Sequence, residues 1–237
     1  MGSVFWLTLR QVSGRMRLLI IAVLASLPVL IALAAVGDTT AMSVEEFEVF
    51  ALGGMLAGSI IPLVVLAIAS SAFGNEVEDR TLANLTLSPI PRWKIALPKL
   101  LATVSVSGVF IVVGAFFTSQ IAFNVDLKAT LAVTGSAFAG VLMYSSVFVW
   151  LGLVTTQAIG FGLVYIVLWE GFFAGFVSGV RFLSIRRYAE ALMHGLDERR
   201  FATADSLNLA FAITISTVVV VGFLLLTVRR LRRMDVP

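Results

Sequence analysis

Between Lys128 and Glu170 the chain runs for 41 residues without a charged side chain. As one helix rising about 1.5 Å per residue, that stretch would be about 60 Å long, twice the roughly 30 Å of hydrocarbon in a bilayer. It must therefore fold back once, and the polar trio Thr155, Thr156 and Gln157 is the natural turn, giving spans 131–154 and 159–177. Four further stretches, 18–36, 50–73, 100–123 and 209–228, are apolar, uncharged and long enough to cross. Backbone polar groups find no water in hydrocarbon, so each such stretch must satisfy them internally as a helix. The expected fold class is all-α, a polytopic membrane protein with six transmembrane helices. Composition agrees: mean hydropathy is +1.01 and 13% of residues are charged, against roughly a quarter in soluble domains.

The basic residues set the orientation. With the N-terminus in the cytoplasm, eleven Lys and Arg face inward and six outward, while Asp38, Glu45, Glu46 and Glu48 crowd the first outer loop. Both termini are then cytoplasmic, and the expected location is a prokaryotic inner membrane. The basicity is used up by topology, so no nucleic-acid surface is read from it. The 19-residue run from Leu18 to Val36 is longer than the apolar core of a secretory signal. In residues 1–17, Phe5, Leu9, Val12 and Met16 recur at helical spacing with Trp6 beside them, whereas Arg10, Gln11 and Arg17 fall elsewhere on the wheel. That pattern predicts an interfacial helix with arginines among lipid headgroups.

One charged island interrupts the apolar chain, at 74–99 between spans two and three. Glu76, Glu78 and Asp79 come first and Arg92 and Lys94 last, in line with a helix dipole. Leu82 and Leu85 supply a narrow apolar edge, and Pro89 and Pro91 end the element. The residues fit two readings: a short cytoplasmic amphipathic helix that presses on a partner, or a solvated loop whose charges only enforce topology.

Here the chain resembles the permease subunits of type-2 ATP-binding-cassette exporters. In that family the second and third spans are joined by two acids, a Thr-Leu pair, a proline followed by an arginine, and a lysine as the next span begins. Glu76, Glu78, Arg80, Thr81, Leu82, Pro89, Arg92 and Lys99 fill this pattern, with Arg80 where many members have glycine. A weaker likeness lies at Tyr165 to Tyr188. The resemblance implies that the island is a coupling helix seated in a separate ATPase subunit. Glu76, Glu78, Asp79, Arg80 and Arg92 would orient it, and Leu82, Leu85, Pro91 and Trp93 would shape and pack it. It also implies two ATPase copies, a second permease chain, identical or homologous, and ATP with Mg on the ATPase. No cofactor is expected on this chain, because it lacks the glycine-rich turn ending in Gly-Lys-Ser or Gly-Lys-Thr that cradles phosphate.

The remaining features speak mostly of packing. Gly54 with Gly58, and Gly171 with Gly175, lie four apart and would let helices approach. Pro28 and Pro62 stand inside spans. Glu170, the one acid inside an apparent span, is expected to pair with Arg181 or Arg186 as a structural ion pair, with a pathway or gate role as the alternative. Residues 178–207 form an outer segment in which Ile185, Tyr188, Ala189, Leu192 and Leu196 keep helical spacing, capped by Ser184 and closed by Gly195. His194 is the only histidine and there is no cysteine, so a metal site is not expected and His194 is placed at the surface. Neither Gly-x-Ser-x-Gly nor His-Glu-x-x-His occurs, so no catalytic residue is assigned and the chain is not expected to be an enzyme. Besides lipid and the ATPase, two rivals to the exporter subunit stand: an ATPase-independent carrier or channel, which needs a polar lining, and a scaffold that relays ATPase motion without moving cargo.

Overall fold

A computed structural model of the chain describes residues 2–37, 43–78, 91–173, 183–201 and 207–233. Among these the chain is helical, with no strand. Helix α1 is Gly2–Val12 and α2 is Arg15–Gly37. Helix α3, Val44–Phe47, runs through a π-helical stretch, Glu48–Ile60, into α4, Ile61–Glu78. Then come α5, Trp93–Ala122, and α6, Leu127–Val154. Helix α7, Ala158–Val164, continues as a π-helical stretch, Tyr165–Phe173, followed by α8, Ile185–Leu196, and α9, Leu209–Arg233.

Among the described residues five helices are long and apolar enough to cross a membrane: 15–36, 44–74, 93–122, 127–154 and 209–233. The span expected at 159–177 is described only as the shorter apolar helix Ala158–Phe172, so the six-span expectation is met for five. Several spans begin earlier than their apolar runs because polar groups cap them. Ser43 accepts from the Glu46 N–H while the Glu46 carboxylate accepts from the Ser43 N–H at 2.8 Å, a reciprocal box that starts the second span at Val44, six residues ahead of Phe50. Asp126 caps α6 by accepting from the N–H groups of Lys128 and Ala129. The turn before it holds Asn124 at φ 51° and Val125 at φ 64°, the left-handed region that a β-branched residue enters only at a cost.

Helix α6 is the axis of the bundle. It packs against α4, α5, α8 and α9, and its core side chains Val133, Ala137, Val141, Met143, Tyr144 and Phe148 are almost fully buried. Small residues set the closest approaches. A Cβ on Gly152 would lie 2.8 Å from the Ser70 carbonyl oxygen of α4, and one on Gly114 would lie 2.6 Å from the Ala25 carbonyl oxygen of α2. By contrast α2 and α9 expose most of their apolar residues, including Val23, Leu30, Val218 and Leu225, as helices bordering lipid do.

The amphipathic reading of the first helix needs a correction. Phe5 and Leu9 are half-buried and Val12 is fully buried against the bundle, but Met16 is exposed and belongs to α2, because the chain breaks helix at Ser13 and Gly14. Trp6 and Leu7 point outward, 69% and 70% exposed. The protein buries one edge of α1 and leaves an aromatic and aliphatic edge exposed.

Candidate functional site

The two helices flanking the island converge on one buried ion pair. Glu76 lies on the last turns of α4 and Lys99 on the second turn of α5. The Lys99 ammonium donates to Glu76 Oε1 at 2.6 Å and also to the Ala72 carbonyl oxygen, and it sits 4.5 Å from the centre of the Phe73 ring. Lys99 is 1% exposed and Glu76 18%. All three of the lysine's neighbours come from the final two turns of α4, so the pair fastens the end of the second span to the start of the third. The end of α4 and the start of α5 are thereby fixed to each other.

Helix α1 braces the same junction. It packs on α5 and touches α4. Gln11 donates to the Ser71 carbonyl oxygen at 3.4 Å, and Arg17 of α2 donates to the Ser71 hydroxyl at 2.8 Å, which itself donates to the Ile68 carbonyl. On the returning side Pro91 precedes the first helical turn of α5, where the N–H groups of Lys94 and Ala96 bond to the carbonyls of Pro91 and Arg92. Trp93 is 45% exposed, and the Lys94 ammonium lies 5.7 Å from its ring centre. Of the proposed coupling residues, Glu76 and Glu78 lie in the last turns of α4 and Pro91, Arg92 and Trp93 at the start of α5, whereas Asp79, Arg80, Leu82 and Leu85, with Thr81 and Pro89, lie outside the described residues.

At the other end of the bundle Glu170 is 2% exposed. Its carboxylate accepts from the Tyr165 hydroxyl at 2.9 Å, the Ser184 hydroxyl at 2.6 Å and the Ile185 N–H at 2.9 Å. Tyr144, fully buried on α6, faces the same carboxylate. Glu170 thus sits at the N-terminus of α8, where an orphan backbone N–H and the helix dipole both favour a negative group. The expected partner Arg186 is engaged elsewhere: its Nε donates to Glu190 Oε1 at 2.7 Å, one turn along α8. Arg181 lies outside the described residues.

The glycines also need correcting. A Cβ on Gly58 would fall 2.9 Å from the Arg186 guanidinium and one on Gly53 would fall 3.2 Å from the Glu190 carboxylate, whereas Gly54 meets only its own helix. The segment is π-helical, and Gly53 and Gly58 are the pair that meets α8. Gly171 likewise meets only its own Ile166 carbonyl, and Gly175 lies outside the described residues. Helix α8 itself packs into the bundle. Its N-cap Ser184 accepts from the Arg187 N–H as expected, but its last turn runs past Gly195 to Asp197, and a Cβ on Gly195 would collide with Leu209. His194 is half-buried, with Nδ1 2.6 Å from the Phe201 carbonyl oxygen. Burial holds the Tyr188 phenol above its ordinary pKa, with Arg187 opposing. Nearby, Arg200 bonds Asp126 at 2.9 Å and packs over Phe123, and Lys128 pairs with Asp197 at 3.4 Å.

Hydroxyls inside the spans are largely consumed locally. Ser105, Ser107 and Thr118 each donate to the carbonyl four residues back, and Ser119 to the one three back. None of these four is left to line a polar path.

Apolar helices packed about α6, with two of them pinned at the base of a charged segment, define a polytopic helical membrane protein. The family described as ABC-2 family transporter protein matches residues 13–184, and the chain belongs to that family. It is a membrane permease component of an ABC transporter, of a family whose ATPase resides on a partner. No curated protein matches the chain significantly.

Proposed function

We propose that the chain is the membrane half of an ATP-driven exporter, working as a pair of permease chains with two ATPase subunits. The segment 76–94 is its coupling element, facing the cytoplasm with both termini in a prokaryotic inner membrane. ATP and Mg act on the ATPase, and closure of the two ATPases drives the segment and tilts the spans.

The observation that carries this reading is the Glu76 to Lys99 ion pair. A lever transmits force only if its base is stiff. This base joins two spans and is braced through Ser71 by Gln11 of α1 and Arg17 of α2, so displacement of the segment would move α4 and α5 together. The locally satisfied hydroxyls of α5 favour an ATP-coupled permease over an ion carrier, which would need them along a path.

The test is copurification of the chain with the ABC ATPase encoded beside it, comparing wild type with the Leu82→Asp, Arg92→Glu double variant. The reading expects a variant that stays folded in detergent but loses the ATPase or uncouples its hydrolysis. An ATPase that binds and turns over unchanged would remove the coupling role and move the carrier reading ahead.

A further inference from the structure

Helix α9 packs on the bundle along one edge, at Ala212, Ser216, Thr227 and Leu231, and leaves the neighbouring edge open. Near one end Leu209 packs on Gly195 of α8, close enough that a Cβ on the glycine would sit 2.8 Å from it. Further along, Phe223 meets Trp150 of α6 edge to face, with ring centres 5.5 Å apart. Between these contacts α6 and α9 leave a side-open groove of about 390 Å³, lined by Gly135, Ala139 and Leu142 of α6 and Ile213, Ser216 and Val220 of α9, with Leu192 and Leu196 of α8 at its head.

We propose that this groove binds one acyl chain of a membrane phospholipid. Its lining is apolar apart from two hydroxyls. Thr217 donates to the Ile213 carbonyl, which leaves Ser216 alone with an unmet hydroxyl. Water held there would need two to four polar partners and finds one. The groove follows α9 from Leu209 to Val221, about 18 Å at a helical rise of 1.5 Å per residue. One leaflet of hydrocarbon is about 15 Å deep, half of the bilayer's 30 Å. The occupant therefore lies along a single leaflet and stops where Trp150 and Phe223 close the way. A spanning helix of a second copy would need a seat across the full thickness, whereas this groove ends near Val221. Small side chains on both walls, Gly135, Ala139, Ser216 and Thr217, keep the trough open where larger aliphatics would fill it.

The inference does not rest on ATPase coupling. The full chain is purified in detergent with added phosphatidylethanolamine, washed, and examined by native mass spectrometry. Wild type is expected to retain about one phosphatidylethanolamine per chain. Thr217→Phe, filling the groove from α9, and Gly135→Phe, filling it from α6, are each expected to lower retention at least about tenfold, a loss of about 1.4 kcal/mol in affinity. Val23→Phe, on the exposed face of α2, serves as the reference and keeps wild-type retention. Failure of wild type to hold lipid through the wash, or equal retention in both groove variants, overturns the proposal. So does a dimer mass that Thr217→Phe and Gly135→Phe abolish, since a second chain would then be the occupant.

Discussion

The Glu76 to Lys99 pair makes an asymmetric prediction. At 2.6 Å the gross attraction is about 6 kcal/mol for an effective dielectric constant near 20, and desolvation of the buried lysine offsets much of it. Glu76→Leu leaves Lys99, 1% exposed, with one backbone carbonyl and one ring face as its compensation. An uncompensated buried charge of this kind costs about 3–5 kcal/mol. Lys99→Met is milder, because methionine follows the same apolar path past Phe73 and the stranded Glu76 is near enough to the surface to turn toward water. Its cost should be about 1–2 kcal/mol. The double variant removes both charges and should return to within about 1 kcal/mol of wild type, as replaced buried pairs commonly do. Chemical unfolding of the purified chain in detergent, followed by helical circular dichroism across all four proteins, gives the cycle. If the double variant is as unstable as the two single losses added together, the residues do not interact and the fixed base is refuted.

Other consequences are tested by the same unfolding assay. Gly114→Ala places a methyl 2.6 Å from the Ala25 carbonyl oxygen and should cost about 1–3 kcal/mol by forcing α2 and α5 apart, whereas Gly222→Ala, with open space around it, should stay within about 0.5 kcal/mol. Val125→Gly should stabilise by about 0.5–1 kcal/mol, since the left-handed conformation is relieved and a side chain 74% exposed gives up little packing. Glu170→Gln should cost only about 1 kcal/mol, because its amide oxygen still accepts from Tyr165 and Ile185 while its nitrogen donates to a rotated Ser184 hydroxyl. Glu170→Leu strands all three donors and should cost about 3 kcal/mol or more; equal losses in Gln and Leu would mean that charge, not hydrogen bonding, holds the site.

The uncharged runs made the spans legible, because a bilayer enforces about 20 apolar residues whatever the tertiary fold. Boundaries were less so: Ser43 with Glu46, and Asp126, cap helices with polar groups that hydropathy assigns to loops. Glu76 and Lys99 were both present in the family pattern, yet 23 positions apart, and only the antiparallel return of α5 along α4 brings them together. Glu170 was legible only in part. Of the two arginines that charge counting offers it, Arg181 lies outside the described residues, while the structure engages Arg186 with Glu190 one turn away and gives Glu170 two hydroxyls and a helix N-terminus. A backbone N–H has no letter in the sequence, so a carboxylate satisfied by one cannot be read from residue types. The glycine faces were read on the wrong pair: in the stretch 48–60 it is Gly53 and Gly58 that face α8, while Gly54 meets only its own helix. There the glycines make room for an Arg186 side chain rather than for a helix backbone. The second span is thus shaped at one end to accept an ion pair from α8, and at the other it supplies the acid that holds α5.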